Sequence, residues 1–180
     1  MEQFPINELL LNYELPYKVY NRGVSGFTTI ELLENIEPCI LDLEPKVLFL
    51  NIGTNDLNGE TYDIDGLYQN FSKIISIIKD KLPDTSIYLM AYYPVKEEIL
   101  QQKTTPIRYR TNKRIDEANE KVVQRIANEN NLHYIDVNDG LKDKNGEQIE
   151  AFTVDGVHMY ANGYMEVLKH LLPILESIKL

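Results

Sequence analysis

The chain has 180 residues, 43% hydrophobic and 26% charged, the size and balance of a single domain with a real core. Its formal net charge of -10 and pI near 4.8 argue against nucleic acid or an anionic membrane as the main partner, since both demand a basic surface. A lone cysteine, Cys39, excludes an internal disulfide. No apolar stretch reaches the length of a membrane span, and Met1-Glu2-Gln3-Phe4-Pro5 lacks the basic and apolar regions of a signal peptide, so a reducing cytoplasm is the expected compartment.

In chain order, Lys18-Val19-Tyr20 reads as a short strand that runs into Asn21-Arg22-Gly23. Thr28 or Thr29 can cap a helix through Leu32, Leu33 and Ile36. Cys39, set among Ile36, Ile40 and Leu41, is expected as a small buried hydrophobe. The continuous apolar run from Val47 to Ile52 has the pattern of a strand buried on both faces. Ile64, Leu67, Phe71, Ile74, Ile75 and Ile78 recur at helical spacing, with Pro83 beyond their end. Ile87 to Ala91 forms a further strand candidate. Ile115, Ala118, Val122 and Ile126 mark one face of a long helix, and His133 to Val137 another strand. The closing helix carries Tyr164, Val167, Leu168, Leu171, Leu172 and Leu175, with a kink expected at Pro173.

No repeat, low-complexity linker or shift in composition marks a boundary, so residues 1–180 are expected to form one domain. Strands that alternate with helices predict an α/β fold with a mostly parallel sheet covered on both faces. In such sheets ligands bind in the loops at the carboxyl ends of the strands.

Three of those loops carry chemistry. Asn21-Arg22-Gly23-Val24-Ser25-Gly26-Phe27-Thr28-Thr29 lies between a strand and a helix, and its glycines allow tight turns and close approach of backbone N–H groups to an anion. It could equally be a plain capped turn. Gly53-Thr54-Asn55-Asp56 follows the apolar strand. Its Asn55 amide can donate to a developing oxyanion, or Asn55 and Asp56 can simply make turn bonds. In the third loop, Asp155-Gly156-Val157-His158, the carboxylate can accept a bond from the imidazole and fix its tautomer. His133 and His170 lack such a neighbourhood and read as structural. Metal binding by Asp155 and His158 has no second ligand cluster to support it, and no cofactor motif is present.

A glycine turn, then Gly-x-Asn-Asp, then Asp-x-x-His, on successive strand-to-helix loops, resembles the SGNH (GDSL-type) hydrolase family and its platelet-activating-factor-acetylhydrolase-like branch. The likeness spans nearly the whole chain. It implies a flavodoxin-like three-layer α/β/α sandwich and a serine esterase acting by acyl transfer on a small-molecule ester, without a cofactor. Catalytic roles would fall to His158 as general base and acid and to Asp155 as its orienting partner. Gly26 and Asn55 would supply N–H groups to the oxyanion hole. The reading leaves short acyl, acetyl and lysophospholipid esters, and a homo-oligomer, open.

The family's first block, Gly-Asp-Ser or Gly-Ser-Ser, is not in the sequence. Met1 to Pro5 resembles the stretch just after that serine, so the nucleophile and the first, central strand are expected upstream of Met1. The chain as written is expected to be an N-terminally truncated, inactive form. A non-catalytic carbohydrate- or small-molecule-binding module in the same cleft is the alternative. Ser25, beside Gly26, is a poor substitute nucleophile, and Ser72, Ser76, Ser86 and Ser177 lie on or near regular elements. The basic island of Lys103, Arg108, Arg110, Lys113 and Arg114 reads as a solvated helix flank with pairs such as Lys113 to Glu117. Tyr92, Tyr93 and Pro94 could line a pocket or simply pack.

Overall fold

The computed structural model describes residues 2–102, 107 and 109–178. Helices occupy Ile6–Leu9 (α1), Thr29–Glu34 (α2), Ile36–Cys39 (α3), Ile64–Lys81 (α4), Glu97–Gln102 (α5), Asn112–Ala118 (α6), Arg125–Asn130 (α7) and Ala161–Ser177 (α8). Strands occupy Val47–Leu50 (β1), Ser86–Met90 (β2) and His133–Ile135 (β3). The chain divides into two compact units. One comprises Gly26–Tyr92 with Ile107–Ile135, and the other Met1–Ser25, Tyr93–Pro106 and Asp136–Leu180.

The first of these units holds the sheet, which is parallel throughout in the order β1-β2-β3. The fold class is therefore α/β, as the alternation of elements predicts. Ile87, Leu89 and Met90 of the central strand β2 are buried, because that strand has a neighbour on each side. Phe49, Tyr88 and His133 share one register row, and their rings stack at 5.0 and 4.3 Å, a cross-strand ladder that gives His133 its structural role. The expectation that the whole β1 run is buried on both faces is corrected. Val47, Leu48 and Phe49 are only half-buried, and among the described residues β1 pairs with β2 alone.

The helices of this unit follow their sequence signals closely. Thr28 caps α2 in a reciprocal box with Glu31, each serving the other's backbone N–H. Asp63 caps α4 by accepting from Gly66 N–H at 2.9 Å, and Lys79 and Lys81 sit in the last turn, where the helix dipole favours cations. Ile74, Ile75 and Ile78 have no exposed surface. Burial of each such side chain stabilises the fold by about 1.5–3 kcal/mol. The long helix expected around Ile115 to Ile126 is present, and all four of its marker residues are fully buried. Between α6 and α7 it widens into a π-helical stretch, Asn119–Gln124. The widening coincides with Asn119, whose amide accepts from Tyr92 N–H at 2.7 Å and donates to Tyr92 C=O at 3.1 Å. A side chain thus satisfies both backbone groups just past the end of β2. Cys39 is half-buried rather than buried, at the end of the one-turn helix α3.

The second unit is built around α8, which runs unbroken through Pro173 and buries Tyr164, Val167, Leu168, Leu171 and Leu175. The N-terminal segment packs on it. The Phe4 and Tyr164 rings stack at 5.0 Å, and the Tyr17 hydroxyl donates to Leu175 C=O. Asn21 donates to the Phe4 carbonyl at 3.0 Å, holding the chain just ahead of the first loop. Lys18-Val19-Tyr20 is not a strand, contrary to the sequence expectation; it makes no ladder pairing with any described residue, and β propensity alone does not define a strand. No helix among the described residues is long and apolar enough to cross a membrane.

Candidate active site

The Asp155–His158 turn is built by its own backbone. Thr153 and Met159 form an antiparallel bridge, Val154 N–H donates to His158 C=O at 2.8 Å, and the Thr153 hydroxyl accepts from Gly156 N–H at 2.7 Å. Within that frame one Asp155 oxygen accepts the backbone N–H groups of Val157 and His158 at 3.0 and 2.9 Å. The other lies 2.8 Å from His158 Nδ1. With Nδ1–H committed to a carboxylate, the proton-accepting nitrogen of the neutral ring is Nε2. Burial opposes the charge on Asp155, but the N–H groups of His158 and Val157 and the His158 ring outweigh it and hold the carboxyl below its ordinary value. The His158 side chain is 42% exposed and that of Asp155 28%, so the imidazole is the more accessible of the two.

An ion cluster centred on the buried Lys96 is attached to this turn. Lys96 N–H donates to Gly156 C=O at 2.8 Å. The Lys96 ammonium lies 2.9 Å from both Asp143 and Glu147, whose bonds raise its pKa well above the usual lysine value. Gln148 N–H donates to Val95 C=O at 3.1 Å and continues the attachment.

Gly26 and Asn55 belong to the unit that contains the sheet. Gly26 has φ +80°, a left-handed conformation, and a side chain placed there would meet nothing within 4 Å. Asn55 follows β1, and its Nδ2 donates to Phe27 C=O at 2.8 Å, so the second loop is bonded to the residue after Gly26. Asp56 is more than a turn residue. Its carboxylate accepts Thr29 N–H at 3.0 Å and the Thr29 hydroxyl, at the first turn of α2. Burial pushes the Asp56 carboxyl above its ordinary value against the lowering effect of those bonds. Gly53 has φ +109°, and a Cβ there would stand 2.3 Å from the Tyr92 hydroxyl, which donates to Ile52 C=O.

The reading of the basic segment as a solvated flank is corrected at Arg110 and Arg114. Arg110 is 5% exposed, and its Nη2 donates to Asn55 Oδ1 at 2.7 Å. Arg114 Nη1 donates to the carbonyls of Leu57 and Gly59 at 3.0 and 2.7 Å, and its guanidinium lies over the Tyr62 ring. Tyr109 N–H donates to Asn58 Oδ1 at 3.2 Å. The irregular loop after β1 has carbonyls that no ladder satisfies; Arg114, within α6, meets those of Leu57 and Gly59, while Arg110, just ahead of α6, meets the Asn55 side-chain oxygen. Lys113 is exposed, and Glu117 pairs with Lys121 at 2.7 Å instead. Lys103 and Arg108 lie outside the described residues. A run of mixed Arg and Lys does not say which member turns inward, so sequence reading missed Arg110.

Of the aromatic pocket candidates, Tyr92 is fully buried and serves packing. Pro94 is buried and Tyr93 half-buried. Ser25 N–H donates to the Glu2 carboxylate at 2.7 Å. His170 Nε2 pairs with Asp139 C=O at 2.9 Å, as a structural histidine would. Among the described residues no group of three His, Cys, Asp or Glu side chains could hold a metal ion.

The parallel sheet places the fold in the α/β class, and comparison with known proteins makes the assignment specific. The GDSL-like Lipase/Acylhydrolase family model matches residues 7–165, and the chain belongs to that family. A Streptococcus pneumoniae structure described as a platelet activating factor is 30% identical with a TM-score of 0.85, over 97% of this chain and 78% of that one. An acetylxylan esterase structure from Geobacillus stearothermophilus shares the fold, with a TM-score of 0.72 and 22% identity over 94% of this chain and 78% of that one. Among curated relatives, bovine platelet-activating factor acetylhydrolase IB subunit alpha1 is 23% identical over 89% of this chain. The Escherichia coli N-acylneuraminate cytidylyltransferase is 26% identical over 88%. The chain spans 64% of the length of the first of these relatives and 35% of the second.

Proposed function

We propose that this protein hydrolyses small acyl esters, acetyl esters foremost, by acyl transfer through a serine. The observation that carries the reading is the 2.8 Å contact between His158 Nδ1 and Asp155, which leaves Nε2 to accept a proton. Family membership supports the reaction class. The acetyl preference rests on the names of two relatives, an acetylhydrolase and an acetylxylan esterase.

In the proposed reaction His158 Nε2 takes the proton of the serine hydroxyl as its oxygen attacks the ester carbonyl carbon. The carbonyl electrons move onto oxygen, where Gly26 N–H and an Asn55 amide N–H receive the charge. As the intermediate collapses, the C–O bond to the alcohol breaks and the alcohol leaves with the proton from His158. Water then repeats the sequence and releases acetate. The attacking serine is proposed to precede Met1 in the natural chain.

Protein isolated from its native source should hydrolyse p-nitrophenyl acetate faster than the octanoate, and a fluorophosphonate probe should label one serine. Peptide mapping that finds the label ahead of the Met1 position supports the reading. A label on Ser25 would overturn the serine assignment. Failure of both hydrolysis and labelling would favour a binding module in the same cleft.

A further inference from the structure

We infer that Arg110 is the positioning residue of the oxyanion site, setting which end of the Asn55 amide faces the reacting carbonyl. The inference rests on the proposed role of Asn55 and adds a residue that the motifs do not contain.

An asparagine amide can present either a donor or an acceptor, and the two ends have nearly the same shape. Only the nitrogen end stabilises a developing oxyanion. A carbonyl oxygen in its place would repel one. Two neighbours decide the matter here. Arg110 has donors and no acceptor, so the Asn55 atom 2.7 Å from Nη2 must be oxygen. Phe27 C=O accepts and cannot donate, so the atom 2.8 Å from it must be nitrogen. The two constraints agree, and they use the Asn55 oxygen and one of its two amide hydrogens. The remaining N–H is uncommitted among the described residues and is the one available to a substrate.

Arg110 also acts through charge. Arg110 is 5% exposed, so solvent screens its bond to Asn55 little. A cation on the oxygen end draws electron density along the amide and makes its N–H groups better donors. Arg110 is itself fixed: it directly precedes Thr111, which caps α6 by accepting Arg114 N–H. Arg114 then fastens the same loop a few residues on, through the carbonyls of Leu57 and Gly59. Removing Arg110 therefore leaves the Asn55 amide held by the Phe27 C=O bond alone, so that it flips more readily, while its loop stays attached.

The test uses the full natural chain with Arg110→Met and Arg110→Lys. Two readouts are taken: steady-state kinetics on p-nitrophenyl acetate, and the side-chain amide 15N–1H signals of Asn55. In Arg110→Met we expect kcat to fall about 10–100-fold with KM within threefold, because one weakened oxyanion donor acts in the transition state. The Asn55 amide signals should shift and broaden as the group begins to flip. Arg110→Lys, which keeps a donor and the charge, should recover part of both. Unchanged Asn55 signals in Arg110→Met overturn the inference, whatever the kinetics. So does an unchanged kcat in Arg110→Met alongside a turning-over wild type. If the wild type itself does not turn over acetyl esters, the proposed activity fails, and the amide signals alone still decide whether Arg110 orients Asn55.

Discussion

The Asp56 carboxylate accepts the Thr29 backbone N–H at 3.0 Å, across 27 residues of sequence. That N–H belongs to the first turn of α2 and has no partner within its own helix. A negative charge at this position also meets the positive end of the helix dipole. One side chain thus ties the loop after β1 to the helix that follows the Gly26 turn, and both expected oxyanion donors stand beside the tie.

Removing that tie should cost stability. Asp56→Ala leaves the N–H of the buried Thr29 unsatisfied, which is expected to lower the unfolding free energy by about 1–3 kcal/mol. The pH dependence has a definite sign. The Asp56 pKa is raised on folding, so its contribution is fully present below the unfolded value and is lost as pH rises through the folded one. The stability gap between wild type and Asp56→Asn should therefore be wider near pH 3 than at pH 7, by urea denaturation. A gap that widens toward neutral pH would show that the bonds to Thr29 dominate over burial.

Asn55→Ala removes the donor and also leaves Arg110 without this acceptor, so the melting temperature should fall as well. Turnover of an acetyl ester by the folded protein should fall on the order of 10²–10³-fold, with little change in KM. A loss below about tenfold would contradict the oxyanion role.

Asp155→Asn keeps one oxygen to accept the Val157 and His158 N–H groups, so the turn should persist. Its amide nitrogen, however, would face His158 Nδ1 and require the tautomer whose Nε2 carries the proton. Turnover is expected to drop on the order of 10³–10⁴-fold, as tautomer reversal does in serine hydrolases. Since the Asp155 pKa is lowered on folding, its stabilisation is present above the unfolded value and disappears as pH falls through the folded one. The stability difference between wild type and Asp155→Ala should then shrink in acid, which denaturation at pH 7 and pH 3 can read.

Gly53 and Gly26 both have positive φ but should respond differently to alanine. At Gly53 the new Cβ meets the fully buried Tyr92 hydroxyl at 2.3 Å, with Leu67 close behind. Backbone strain and overpacking together should cost about 2–5 kcal/mol. At Gly26 the space is open, so only the strain of about 1–2 kcal/mol applies. Thermal melts of Gly53→Ala and Gly26→Ala that coincide would refute the packing difference.

The sequence by itself determined the local elements and the chemical motif. Helix α4 was legible because its isoleucines repeat at one face's spacing, and β2 because its apolar run is short and bounded. Asp155 and His158 were legible because a contact between residues three apart depends mainly on the turn between them. Tertiary structure decided what depends on distant partners. Lys18-Val19-Tyr20 has strand composition, yet a strand exists only where a neighbour pairs with it. Tyr92, at the end of β2, could have lined a pocket; Asn119 and Ile52 take its polar groups and leave it in the core. Arg110 and Lys113 look alike in a basic run, but one is buried against Asn55 and the other is exposed. A guanidinium turns inward only where the fold brings an acceptor to it, and that acceptor lies 55 residues away in the chain.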